Sequence, residues 1–234
     1  IPLRLVGSEM CIRDSFWRAE VARLSLFMAN IEFDDVRITG DDNKFLKEHG
    51  KLKDGTSIPF RQLPVLVIDG QSVAQSGGIA RICGKLSGMY PEDMVEAGKV
   101  DQIIDTVTDM NVMLNLSMRE NDPIIKKQMR ADLTNTDLPR YFGYLEEIID
   151  ANSSHWFVGD TVTVADIAVW SFLGWIAQGV LDDIPPEVIQ PFDGLRKVYN
   201  ELGEHPLVGE WKKKTYSHDE SSTDEYNYDI PDRI

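Results

Sequence analysis

The chain has 234 residues, enough for one large domain or two modest ones with a core that needs no disulfide support. Its 39 acidic against 24 basic residues give a net charge of −15, which repels phosphate backbones and anionic lipid and argues against a nucleic-acid partner. Hydrophobic content of 42% and charged content of 27% are those of a folded soluble protein, and the two cysteines, Cys11 and Cys83, form no Cys-x-x-Cys pair, which excludes a disulfide framework and fits a reducing compartment.

In chain order, apolar residues at Val21, Leu24, Phe27, Met28 and Ile31 recur at helical spacing and predict an amphipathic helix buried on that face. A strand is expected at Phe33 to Ile38. Thr39 to Ser57 is polar, contains Gly40, Gly50 and Gly55, and reads as a long loop holding at most one irregular helix; loops of this length are often functional. The run Leu63 to Ile68, the turn pair Asp69-Gly70 and the return at Ser72 to Ala74 predict a β-hairpin. Ser76 is then placed to N-cap a helix from Gly77 towards Leu86, with Gly88 to Pro91 as a connection.

Beyond Glu92 the pattern is helical throughout: Met94 to Met118, Pro123 to Ile149, Thr163 to Val180, Glu187 to Leu202 and Pro206 to Lys214. The composition shift near residues 87–92 is the expected domain boundary. From Ser217 on, six carboxylates face Arg233 alone, so residues 217–234 are expected to be an acidic disordered tail. The longest apolar stretch, Ile167 to Ala177, is too short for the roughly 20 residues of a membrane span, so no membrane partner is expected. His49, His155, His205 and His218 lack ligand spacing, and no metal site is expected.

Three spaced features carry a family resemblance. The first is Pro59-Phe60-Arg61-Gln62-Leu63-Pro64-Val65-Leu66, the second Gln75-Ser76 at a helix start, and the third Gly159-Asp160-Thr161-Val162-Thr163-Val164-Ala165-Asp166. Over residues 16–216 the chain resembles a cytosolic glutathione S-transferase of the tyrosine-type, sigma-like class. The resemblance implies an α/β thioredoxin-like glutathione-binding domain over residues 16–88 and an all-α C-terminal domain over residues 92–216. It implies a cis bond before Pro64, with Gln62, Leu63 and Pro64 presenting backbone to the tripeptide. Gln75 and Ser76 would hold the γ-glutamyl carboxylate at a helix N-terminus, where free N–H groups and the dipole favour an anion. Ser76 can instead serve only as a cap.

The same resemblance places Arg18, from Arg18-Ala19-Glu20, near the glycyl end of glutathione, with Lys53 or Lys51 pairing the glycyl carboxylate. Asp109 falls where related enzymes reach the ammonium group of glutathione bound by the partner subunit. Phe60 matches an aromatic key inserted into the other subunit of a homodimer, against a reading as an ordinary core phenylalanine. Met110 and Met113 would face the pocket for the electrophile, against a reading as core. Thr163 and Asp166 match a structural capping box.

The implied activity is conjugation of glutathione, as co-substrate, to small hydrophobic electrophiles, a detoxification reaction of the cytoplasm. Glutathione-dependent isomerisation of the prostaglandin type and a non-catalytic scaffold role are the alternatives. The family spacing puts the tyrosine that activates the thiol at the position of Ile12, which has no donor; Ser15 and Cys11 are the other nearby groups with activating chemistry. Residues 4–15 resemble translated sequencing-adaptor sequence, family-like sequence begins at Phe16, and residues 1–15 are read as artefactual, with the family's first strand absent.

Overall fold

A computed structural model describes residues 9–12, 18–37, 40–216 and 230–234, and for residues 9–12 and 37 the backbone only. Contacts divide it into two compact units, Ile1–Tyr90 and Pro91–Ile234, a division inside the stretch where composition changes.

The first unit contains β1 (Glu9–Ile12), α1 (Glu20–Met28), β2 (Asp34–Arg37), α2 (Gly40–His49), a 3₁₀ turn (Pro59–Arg61), β3 (Val65–Ile68), β4 (Gln71–Ala74) and α3 (Ser76–Ser87). The sheet order is β2-β1-β3-β4. β1 runs parallel to β2 and antiparallel to β3, and β3 and β4 form the expected hairpin. Asp69 and Gly70 both have positive φ, 51° and 75°, the pairing that lets a two-residue turn follow the strand twist.

The expectation that the first strand is absent does not hold. Glu9–Ile12 lies at the centre of the sheet, bonded on one side to Asp34–Arg37 and on the other to Val65–Val67. Backbone pairing explains this: two strand edges that would otherwise face each other unbonded are both satisfied by any inserted segment able to extend, whatever its side chains.

Strand alternation splits the core in two. Leu66 packs with Ala19, Ala22, Leu26, Ile79 and Cys83 under α1 and α3. Val65 and Val67 pack with Leu46, Leu52 and Ile58. The face predicted for α1 is only partly right, since Phe27 and Met28 are half-buried while Glu20, Arg23 and Ser25 are buried.

The Thr39 to Ser57 stretch is not mainly loop: α2 is a regular ten-residue helix. It has a single buried apolar residue, Leu46, which hides it from a periodicity search. Its ends are instead polar-stabilised, with Asp41 and Asp42 in the first turn and Lys47 and His49 in the last. The Arg61 guanidinium donates to the carbonyls of Lys47 and Glu48, both at 3.0 Å, closing the C-terminus.

The second unit is helical: α4 (Met94–Arg119), α5 (Pro123–Asp132), α6 (Leu138–Ala151), α7 (Val164–Ala177), α8 (Asp193–Gly203) and α9 (Pro206–Tyr216). Every residue of α7 from Val164 to Ile176 is buried, as an all-round apolar helix requires. α4, α6 and α8 pack around it or on each other.

The helix expected over Pro123 to Ile149 is interrupted by a π turn at Leu133–Asp137, where the Leu138 N–H bonds the Leu133 carbonyl. Pro139 explains it: lacking an N–H, it cannot continue the i→i−4 ladder, and one wider turn absorbs the break. Pro191 likewise divides the expected Glu187 to Leu202 helix into a 3₁₀ turn at Pro186–Ile189 and α8. The last five residues of the expected disordered tail, 230–234, are packed against α8 and α9, with Ile230 buried. Their composition alone reads as disordered because the contacts are made by main chain.

Candidate functional site

Antiparallel pairing of Val65 with Ala74 places the residues just outside the hairpin, Pro64 and Gln75, beside one another. The register therefore brings the Leu63–Pro64 peptide, which is cis, to the mouth of α3. That mouth is uncapped. Gln75 occupies the N-cap position with φ 74° and ψ 120° and makes no side-chain capping bond, and Ser76 is the first helical residue rather than the cap expected from sequence. A non-glycine residue at positive φ is strained, and such strain persists where surrounding structure enforces it, often beside a ligand. The first N–H groups of α3 consequently point out of the helix without an intrahelical acceptor.

The other sequence-predicted residues of this unit fall as follows. Gln62 is exposed, with extended backbone leading into Leu63. Arg18 is half-buried just before α1. Lys53 is exposed and its ammonium lies 2.8 Å from Asp42 Oδ1; the hydrogen bond and charge of Asp42 hold its pKa above the usual lysine value. Ile12 closes β1 opposite Arg37, and its side chain, like that of Cys11, lies outside the described atoms, as does the whole of Ser15.

Phe60 is not a core residue. It is 70% exposed with φ 62°, and Arg61 follows at φ 50°. The Lys47 ammonium donates to the Arg61 carbonyl at 2.7 Å, so α2 braces the turn that presents the ring.

In the second unit Asp109 is exposed on α4, Met110 is fully buried and Met113 half-buried. Of the two methionines only Met113 offers surface to an incoming molecule. Thr163 and Asp166 form the expected capping box at the start of α7. Asp166 Oδ2 accepts from the Thr163 N–H at 2.7 Å and from its hydroxyl at 2.8 Å, while Oδ1 accepts from the Phe157 N–H at 3.0 Å. Burial pushes this carboxyl above the usual carboxylate range, against the pull of those three donors.

Two relationships were not visible in the sequence. An ion group centred on the buried Arg23 joins the buried Glu20 and the half-buried Asp35. Glu146 accepts from the N–H groups of Gly194 and Leu195, at 2.6 and 2.9 Å, and so caps α8 from α6. A carboxylate at helical spacing reads from sequence as a solvated face, and only the tertiary partner distinguishes it.

Residues 108–215 match the model of the glutathione S-transferase C-terminal domain. The glutathione S-transferase of Anopheles gambiae is 30% identical over 195 residues, covering 81% of this chain and 92% of that protein. The chain belongs to the glutathione S-transferase family. As a member of it, the protein is a transferase with glutathione as co-substrate. Another relative is the hematopoietic prostaglandin D synthase of Gallus gallus, 30% identical over 149 residues that make up 64% of this chain and 69% of that protein. The solved structure of prostaglandin synthase D of Nilaparvata lugens superposes with a TM-score of 0.78 over 89% of this chain and 98% of that one; at 24% identity this supports the transferase fold alone. The four-stranded sheet and the helical second unit are that architecture.

Cys83 in this transferase is not available as a reagent-accessible thiol. It has no exposed surface in the core under α1 and α3, and burial pushes its pKa to about 12. Alkylation of the folded protein by iodoacetamide at pH 8, read by peptide mass spectrometry, is expected to leave Cys83 unmodified until denaturant is added.

Proposed function

We propose that the first unit binds glutathione where the Leu63–Pro64 turn meets the start of α3, and that the bound thiol is conjugated to small apolar electrophiles. The observation that carries this reading is the uncapped α3 N-terminus, set by the β3–β4 register beside the backbone of residues 62–64. Its free N–H groups and the Ser76 hydroxyl suit the γ-glutamyl carboxylate, and the extended backbone at Gln62, leading into the cis Leu63–Pro64 peptide, suits the cysteinyl main chain. Arg18 and Lys53 are assigned to the glycyl carboxylate; Lys53 must first exchange its pairing with Asp42. Asp109 is assigned to the ammonium group of glutathione in a partner subunit, Phe60 to a hydrophobic pocket of that subunit, and Met113, with Met110 behind it, to the electrophile side. The exposed ring of Phe60 on a braced turn supports a homodimer, since large buried aromatic anchors dominate such interfaces. The proposed compartment is the cytoplasm and the proposed role detoxification.

Immobilised glutathione tests the binding half. The protein is expected to be retained, and Ser76→Ala to weaken binding by about tenfold, the effect of one hydrogen bond to a charged group. Retention unchanged by the substitution would place the ligand elsewhere, and no retention of either form would favour the scaffold role.

The chemical half turns on position 12. A thiol with an ordinary pKa near 8.5 is mostly protonated at neutral pH, and a shift of about two units requires about 2.7 kcal/mol of differential stabilisation. Ile12 supplies no hydrogen-bond donor. Conjugation of an aryl chloride is therefore expected to be slow, and Ile12→Tyr to raise kcat by up to about a hundredfold, equivalent to those 2.7 kcal/mol. An increase below twofold would remove position 12 from the thiol's surroundings. We also propose that residues 4–15 derive from sequencing-adaptor sequence, within an artefactual segment 1–15, and reading the 5′ end of the native transcript tests that directly.

A second reading, glutathione-dependent isomerisation, is favoured by the similarity to the chicken prostaglandin D synthase. Conversion of a prostaglandin endoperoxide at a rate above aryl chloride conjugation would support it.

A further inference from the structure

Residues 230–234 sit on α8 and α9 through main-chain contacts. Ile230 is buried, and its carbonyl accepts from Lys212 Nζ at 2.7 Å. The Pro231 carbonyl accepts from the Tyr199 hydroxyl at 2.7 Å. The Asn200 amide brackets Ile234 on both sides, accepting from its N–H at 2.9 Å and donating to its carbonyl at 3.3 Å. Between these, the Asp232 carbonyl passes so close to α8 that a Cβ on Gly203 would lie 2.9 Å from it.

The receiving side is a built surface. Tyr199, Asn200 and Gly203, with Glu204 just past the last helical residue, lie at three- and four-residue spacing along one side of the end of α8. Tyr199 is itself buried, its ring stacked on Trp170 with centroids 5.9 Å apart, so the hydroxyl is held in place. The side chains of Asp232 and Arg233 are themselves exposed and pair with the half-buried Lys212 and with Glu204 respectively. Such pairs are worth little, so recognition rests on one aliphatic anchor, on backbone acceptors and donors, and on a glycine that admits backbone contact.

We propose that the α8–α9 face is a docking surface for an extended peptide of the form aliphatic-Pro-Asp-Arg-Ile, and that residues 230–234 are its displaceable intramolecular occupant. Groups that read main chain through alternate hydrogen bonds and one pocket do not require covalent continuity with what they bind, as in other extended-peptide sites. Tethering raises the local concentration of the chain's own segment to the order of millimolar, so in the intact protein it outcompetes the same peptide added in solution. A second copy of this chain whose own segment is released carries the same ligand. The inference is independent of where glutathione binds.

The test uses a fluorescein-labelled peptide with the sequence of residues 229–234 and the full chain carrying Ile230→Asp, which removes the anchor in cis and leaves every receiving residue intact. Fluorescence anisotropy is expected to show the peptide binding this variant at least about tenfold more tightly than the unmodified chain, where the tethered segment competes. Adding Gly203→Ala is expected to abolish binding while circular dichroism shows no loss of helix, because alanine is the better helix former and only the approach of the Asp232 carbonyl is blocked. Asn200→Ala in the same background is expected to weaken binding at least fivefold. Binding of a scrambled peptide equal to that of the native sequence, binding to the unmodified chain as tight as to Ile230→Asp, no binding to Ile230→Asp, or binding that survives Gly203→Ala would each overturn the proposal.

Discussion

Asp166→Ala is expected to destabilise the protein by about 3–4 kcal/mol, since it leaves buried donors with no acceptor and removes a helix cap. The carboxylate collects the N–H groups of Thr163 and Phe157 and the Thr163 hydroxyl. The first closes the start of α7; the second ties the connection after α6 back onto it. Asn152 and Ser154 complete that connection, Asn152 donating to the carbonyls of Trp156 and Gly159 at 2.9 Å each and the Ser154 hydroxyl donating to the Gly159 carbonyl and accepting from the Trp156 N–H, so residues 152–166 are organised by Asp166, Asn152 and Ser154 at the edge of the core. Because α7 is the buried centre of the second unit, no part of its first turn can reach water without unpacking. Urea unfolding followed by the fluorescence of Trp170 and Trp175 measures the effect. Asp166→Asn, which keeps one acceptor but turns an amide N–H₂ towards a donor, is expected to fall between, and Thr163→Ala to cost about 1 kcal/mol. A loss below 1 kcal/mol for Asp166→Ala would mean that water replaces the carboxylate and that the site is not sealed.

How far sequence reached depended on whether a feature was local. The β3–β4 hairpin was legible because Asp69-Gly70 specifies its turn and six apolar residues precede it. The α7 cap was legible because Thr163 and Asp166 sit at the spacing the motif needs, with apolar residues on both sides. α2 was not, since Leu46 alone is buried and its C-terminus is closed by Arg61 from beyond the next loop. β1 was not, because a central strand's place is decided by the two edges it fills. The docked residues 230–234 read as a tail for the same kind of reason: nothing in Ile-Pro-Asp-Arg-Ile announces partners on α8 some thirty residues earlier.

The candidate site divides along the same line. The cis Leu63–Pro64 bond and the pairing of it with Gln75 and Ser76 were expected from the resemblance to glutathione S-transferases, while the local pattern alone offered Ser76 as a cap; the register between Val65 and Ala74 is what sets these residues side by side. The outward setting of Phe60 depends on positive φ at two successive non-glycine residues, a conformation that composition does not forecast. The availability of Met113 rather than Met110 is a matter of packing that helical spacing leaves open, since both positions lie on one side of α4.

Arg23→Met is expected to cost about 3–5 kcal/mol, the penalty of leaving a buried carboxylate without its charge partner. Arg23 has no exposed surface; its Nη1 lies 3.3 Å from Glu20 Oε2, one turn back on α1, and its Nη2 and Nε lie 3.1 and 3.2 Å from Asp35 Oδ1 on β2. The guanidinium therefore links the crossover helix to the strand it serves, a planar donor set meeting two carboxylates in the way lysine cannot. Lysine at this position is expected to lose most of the same stability. The double variant Glu20→Gln, Arg23→Met is expected to recover only part of that loss, because Glu20 no longer carries a desolvation cost while Asp35 stays charged and has lost the guanidinium. Differential scanning calorimetry of the three proteins decides the point. If the single and double variants are equally destabilised, the group acts through packing of the long side chains and not through charge, and the penalty belongs to lost volume between α1 and β2.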